Sequence, residues 1–324
     1  MEFTTSTEDK MLPLSTFHKI EKPLKMRLCK LPSLEWSLLL PIILNFKTMN
    51  KTYILSILAS FFFMSCEKVI DIEVPSIEPK LVIDASFEVL FDETPIVSNN
   101  LVKLRLSADY FEENIPTVTN ATVFLTNLTD NSVIPFSDIN QDGDYEAINS
   151  FVPLDGVAYE LTVIYNNETY KGKATKIKSS KITSIVQGEK TLFSGEEIEL
   201  KISFKDDGAL KNHYLFNVDI YNYLAIEDRY FDGSDYNFSY FYEDENIEFP
   251  KKIDIKLSGI TKEYFTYFRV LIGQSGQNAG GPFQSAPSTL LGNIINTTNE
   301  ANFPLGYFHI SETDTFNIEL VDKN

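Results

Sequence analysis

Cysteine, histidine and tryptophan are scarce in this 324-residue chain, which holds two, three and one of them respectively. Two cysteines cannot build a disulfide framework, and so few Cys and His exclude most thiolate–imidazole metal sites. Positive charge is also short. Lys and Arg number 28 against 46 Asp and Glu, giving a formal net charge of −18 and a pI near 4.6. A nucleic-acid partner would require a basic stripe, so none is expected. What is present is apolar and aromatic. Hydrophobic residues make up 43% and charged residues 23%, enough to bury a core and too apolar for disorder. The 25 Phe and 16 Tyr favour sheets. At roughly 100–200 residues per domain, the length suggests about two domains.

The amino-terminal region predicts the location. From Met49 the chain reads MNKTYILSILASFFFMSC, with Lys51 ahead of an uncharged run of twelve residues, Tyr53 to Met64. A bilayer span needs about 20 apolar residues, so this run is a leader rather than a membrane helix. It closes on Ser65-Cys66. That ending resembles a bacterial lipoprotein signal, in which the cysteine thiol carries diacylglycerol and its amine is freed by cleavage. Cys66 is therefore the expected lipid-attachment site. Pro41 interrupts the earlier apolar run Leu34 to Phe46, and residues 1–48 read as an extension from a mis-assigned upstream start.

The expected organisation is an extension (1–48), a leader (49–65), a tether (66–79) and two β-rich domains (80–178 and 179–324). Cleavage would leave 259 residues (324 less 65) carrying 20 basic and 41 acidic side chains, a net −21. Such a body repels anionic headgroups and would be held by its lipid, not by a basic face. Pro75 and Pro79 keep the tether out of a helix.

From Leu81 onward the pattern alternates with period two, the mark of half-buried strands. Val102, Leu104 and Leu106 alternate with polar neighbours, and Tyr159, Leu161, Val163 and Tyr165 alternate with Glu160, Thr162 and Ile164. Asn166-Asn167 predicts a two-residue type I′ hairpin turn, because Asn tolerates positive φ. This first block is expected to form an immunoglobulin-like or transthyretin-like sandwich. In the second block, Glu196–Phe204, Tyr214–Tyr223 and Ile253–Leu257 read as strands, and 229–249 as loops or a splayed hairpin. One helix is expected over 262–274. Thr261 is its N-cap, and Tyr264, Phe268, Leu271 and Ile272 share one apolar face.

Chemistry-bearing patterns are few. Asp138, Asn140, Asp142 and Gly143 read D-x-N-x-D-G, the opening of a calcium loop, but the twelfth position is Asn149 rather than the chelating Glu. Asp-Gly is also a favoured hairpin turn, so the motif is only a weak calcium candidate and no metal or cofactor is expected. Gly273-Gln274-Ser275-Gly276-Gln277 just misses G-x-S-x-G. Only His213 and His309 remain as bases after cleavage. The better binding candidate is the tyrosine-rich stretch 221–245, with Tyr236, Tyr240 and Tyr242 as its expected partner surface, because Tyr couples rigid contact area to a polar tip. The competing reading is a core of alternating strand aromatics with acids facing water.

The chain resembles a family of Bacteroidota lipoproteins called domain of unknown function 4249. The resemblance runs from Cys66-Glu67-Lys68-Val69-Ile70-Asp71 through Pro79–Ile83, Gly143-Asp144-Tyr145 and Tyr159-Glu160-Leu161. It closes on Gly292-Asn293-Ile294 and Leu305-Gly306-Tyr307-Phe308. It implies an outer-membrane lipoprotein, often encoded beside TonB-dependent transporters, with no established activity. The expectation is a non-enzymatic accessory of such a transporter that captures or presents a ligand. A surface adhesin or structural lipoprotein, and a carbohydrate-active enzyme, are the alternatives.

Overall fold

In a computed structural model, residues 78–322 are described apart from 109–111, 113, 193–194, 221, 245–246 and 276–288. The extension, the leader, Cys66 and the tether as far as residue 77 lie outside the described residues. The described part is mainly β with one helix, as the alternation predicts.

Strands β1 (Leu81–Leu90), β2 (Val97–Leu106), β3 (Thr122–Asn127), β4 (Val133–Ser137), β5 (Asp144–Ala147), β6 (Ala158–Tyr165) and β7 (Glu168–Ile177) form the first block. Then come β8 (Ile182–Gln187), β9 (Ile198–Lys205), β10 (His213–Val218), β11 (Asn222–Glu227), β12 (Asp235–Tyr242) and β13 (Lys251–Gly259). Helix α1 (Lys262–Gln274) and strands β14 (Ile294–Asn296) and β15 (Leu305–Leu320) finish the chain.

Twelve strands make one sheet in the order β11-β10-β13-β15-β1-β2-β5-β4-β3-β6-β7-β14. β7 also pairs with β15 through Ile310↔Lys176 and Ser311↔Ile177. That second contact closes the eight strands from β15 through β1 and β2 round to β7 into a ring. The sandwich expected of the first block is thus sealed along one edge. Its core holds Ile83, Phe87, Leu104, Leu125, Leu161 and Val163, and it recruits Ile294, Phe308 and Ile310 from far along the chain. The Asn166-Asn167 turn has φ of 48° and 62°, the geometry type I′ demands.

The second core lies between the strands β11-β10-β13 with the end of β15 and a three-stranded sheet ordered β12-β9-β8. Phe204, Phe216, Ile255 and Leu257 are its centre. One strand serves both cores. On β15, Phe308 and Ile310 enter the first and Phe316, Ile318 and Leu320 pack against the second, all on the even-numbered face. β15 runs parallel to β1 over Leu305–Thr313 and antiparallel to β13 over Thr313–Leu320.

Two expectations need correction. Tyr214–Tyr223 is not one strand. It reverses at Asp219, whose φ is +57°, and returns as β11. Both arms carry short continuous apolar runs, 214–216 and 223–226, covered on both faces, so periodicity could not reveal the turn between them. The stretch 229–249 is likewise not only loop, since it contains β12 paired along all of its length with β9. The glycines Gly292 and Gly306 serve close approach more than turning. Gly306 has φ +103° and faces Ile83 across the register, where a Cβ would collide with the Ile83 backbone. A Cβ on Gly292 would collide with the Gly306 carbonyl.

Helix α1 begins where expected: Thr261 Oγ1 accepts the Tyr264 N–H at 3.1 Å. Tyr264, Phe268 and Ile272 are buried against Leu215, Ile260 and Tyr307, which fixes the helix on the outer face of the sheet.

Candidate functional site

The three tyrosines expected to form a partner surface point inward instead. β12 places Tyr236, Phe238, Tyr240 and Tyr242 on one face, and that face packs on the second core. Tyr236 stacks on Phe231 at 4.0 Å and 17°. Burial pushes the Tyr240 hydroxyl up to about 12. Tyr242 is 2% exposed; its hydroxyl donates to Asp219 Oδ2 at 2.7 Å and accepts from Lys251 Nζ at 2.5 Å. Lys251 also reaches Asp219 and Asp244 at 2.9 and 2.7 Å. This lock ties the start of β13 to the Asp219 turn. The period-two alternation that looked like a display of tyrosines is the alternation of a core strand.

The D-x-N-x-D-G segment is the loop between β4 and β5. Asp138 accepts the N–H groups of Asp142 and Gly143 at 3.2 and 2.9 Å, and Asp142 accepts that of Asp144 at 3.0 Å. Asn140 is exposed. Asp144 faces Arg105 Nη2 at 2.5 Å. Carboxylates engaged by backbone donors, with a guanidinium alongside, make this a built turn.

Ser275 is the C-cap of α1, and its hydroxyl donates to the Ile272 carbonyl at 2.9 Å. Burial lowers the pKa of His213, which stands 5.0 Å from the Phe265 ring. His309 Nδ1 lies 3.2 Å from Ser311 Oγ, a serine–imidazole contact that the sequence did not announce. It is a poor nucleophile–base pair. Ser311 is fully buried, and burial pushes the imidazole down to about 3, far from a base poised near neutrality.

A cavity of about 310 Å³ opens where β7 and β15 fail to pair directly. The two strands meet only at Lys176–Ile177, and the gap beyond is stapled by one side chain. Asn293 Nδ2 donates to the carbonyls of Phe308 and Lys173 at 2.7 and 3.2 Å, and its Oδ1 accepts the Phe308 N–H at 2.8 Å. Ala158, Ala174, Ile177 and Ile260 give the cavity an apolar floor. Lys173 and Thr175 from β7, Glu263 from α1, and Tyr307 and His309 from β15 supply its polar groups. The site thus rests on the Gly292-Asn293 motif: glycine lets the chain approach β15, and asparagine holds the seam. Sequence reading singled out the motif but not the space beside it, which needs the β7–β15 meeting to be seen.

One acidic trio joins Asp206 to two acids of the tyrosine-rich stretch, Asp228 and Asp232. Carboxylate oxygens of Asp206, Asp228 and Asp232 lie within 4.8 Å of one another where the loops after β9 and β11 meet. Hard oxygen donors suit Ca²⁺ or Mg²⁺. Asp206 already accepts from the Tyr214 hydroxyl at 2.6 Å and the Gly233 N–H at 2.8 Å, and Asp228 accepts the Asn212 N–H. In this arrangement the trio clasps the two loops together.

A family model described as Domain of unknown function (DUF4249) matches residues 67–317. No curated protein matches the chain.

Proposed function

The chain belongs to the DUF4249 family, and from that premise we propose that it is a lipid-anchored outer-membrane protein serving a TonB-dependent transporter as a non-enzymatic capture or presentation accessory. The observation that carries this reading is the leader-like run ending at Ser65-Cys66, with the family match beginning at the very next residue, 67. Acylation of Cys66 would confine the body to one membrane. Confinement raises the effective concentration of a co-resident partner, so a weak interface suffices. The seam cavity supports capture: it is near the lower end of the usual volume range of small-ligand sites and joins an apolar floor to a few polar groups.

Two measurements test the reading. Membrane fractionation of Cys66→Ser is expected to find the protein soluble, and mass spectrometry of the wild-type amino-terminal peptide to find acyl chains. A pull-down in mild detergent is expected to recover a TonB-dependent barrel. A membrane-bound Cys66→Ser variant with no acyl mass on the wild type would end the lipoprotein reading. Absence of a barrel, under conditions that preserve other transporter–lipoprotein pairs, would shift the weight to a surface adhesin.

A further inference from the structure

The rim of the seam cavity carries one under-paired charge of each sign, from different elements. Lys173 Nζ approaches Glu160 only at 3.5 Å, while that carboxylate is held by Lys171 at 2.6 Å. Two ammonium groups therefore share one carboxylate, and Lys173 is left 66% exposed beside the opening. Glu263, in the first turn of α1, makes no ion pair among the described residues and is exposed. Beside these charges the cavity wall is more apolar than polar, with Ala158, Ala174 and Ile177 partly exposed over the buried Ile260. A purely anionic ligand would meet Glu263, and a purely cationic one Lys173. A ligand with both charges and an apolar remainder meets neither penalty.

We propose that the cavity binds a small zwitterion, an apolar amino acid or dipeptide, with its carboxylate at Lys173 and its ammonium at Glu263. The inference rests on the capture reading above and names the ligand class for it. About 310 Å³ limits the occupant to an amino acid or a small dipeptide. Tyr307 and His309 add neutral hydrogen-bonding groups, so recognition would turn on the two rim charges.

The test is calorimetric titration of the full chain with L-leucyl-L-leucine, N-acetyl-leucyl-leucine amide and glucose. The dipeptide is expected to bind, and the blocked compound, which keeps the apolar groups and loses both charges, to bind about tenfold more weakly. Lys173→Met and Glu263→Gln are each expected to weaken the dipeptide about threefold, the worth of an exposed ion pair. Both side chains are exposed, so unchanged melting curves should accompany those losses. A swapped double variant, Lys173→Glu with Glu263→Lys, is expected to regain affinity by accepting the dipeptide reversed. No dipeptide binding, equal binding of the blocked compound, tighter binding of glucose, or indifference to both single substitutions would overturn the proposal. Loss of dipeptide binding with the barrel still recovered removes only the ligand class. Binding without a barrel removes only the transporter.

Discussion

Single residues fix the seam. Gly306→Ala is expected to cost roughly 2–4 kcal/mol in urea denaturation, because strain at positive φ adds to a collision with backbone that cannot swing aside. Asn293→Ala removes three hydrogen bonds and leaves the part-buried carbonyl and N–H of Phe308 without their partner, so a loss of about 1–3 kcal/mol is expected on the same scale. His309 makes stability sensitive to acid. Its folded pKa, about 3, lies below the ordinary 6.5, so the unfolded chain binds the extra proton between those values. Its contribution is complete above pH 6.5 and is lost as the pH falls towards 3. Asp84 opposes it: burial raises its folded pKa from 3.8 to about 6, so in that window its proton favours the folded state. His309→Gln should therefore make midpoints measured from pH 7 to pH 4 fall less steeply than in wild type, and Asp84→Asn should make them fall more steeply. A slope unchanged by His309→Gln would refute the assignment. At this scale the sequence announced the glycines and the asparagine as a motif, but what each one touches lies far along the chain.

Among elements, the helix was the most legible. Its face runs from Tyr264 to Ile272 within one short segment, and its cap is local. Thr261→Ala is expected to cost about 1 kcal/mol, read as a lower melting midpoint. The type I′ hairpin was legible for the same reason, since turn chemistry is carried by two adjacent residues. The β10–β11 reversal was not, because Asp219 sits between two apolar runs that read as one and no Gly or Pro marks the bend. The tyrosines of β12 show a deeper limit. Alternation says that one face is buried, but not whether the aromatic face is the buried one, and here the partner strand β9 and the core behind it decide. Tyr242→Phe should cost only about 1 kcal/mol, because Lys251 and Asp219 keep each other as partners.

At the scale of the molecule, β15 belongs to both cores, and Lys256 on β13 reaches Glu88 on β1 at 2.8 Å between their strands. Thermal unfolding followed by tyrosine signals and by calorimetry is expected to give one coincident transition rather than two. Deleting residues 305–324 should abolish both cores at once. The position of β1 also has a mechanical side. It lies between β15, with nine register pairs, and β2, with ten. Tension drawn through the chain ahead of Leu81 cannot peel β1 away one residue at a time from a free edge, because it has none. The strand must slide against two neighbours together, so rupture requires the bonds on both sides to fail in one event, and resistance to pulling is set by that barrier rather than by overall stability. Load applied ahead of Leu81 would therefore fall on a strand held on both sides, parallel to β15 and antiparallel to β2, and the fold should keep its shape under loads that would unzip an edge strand.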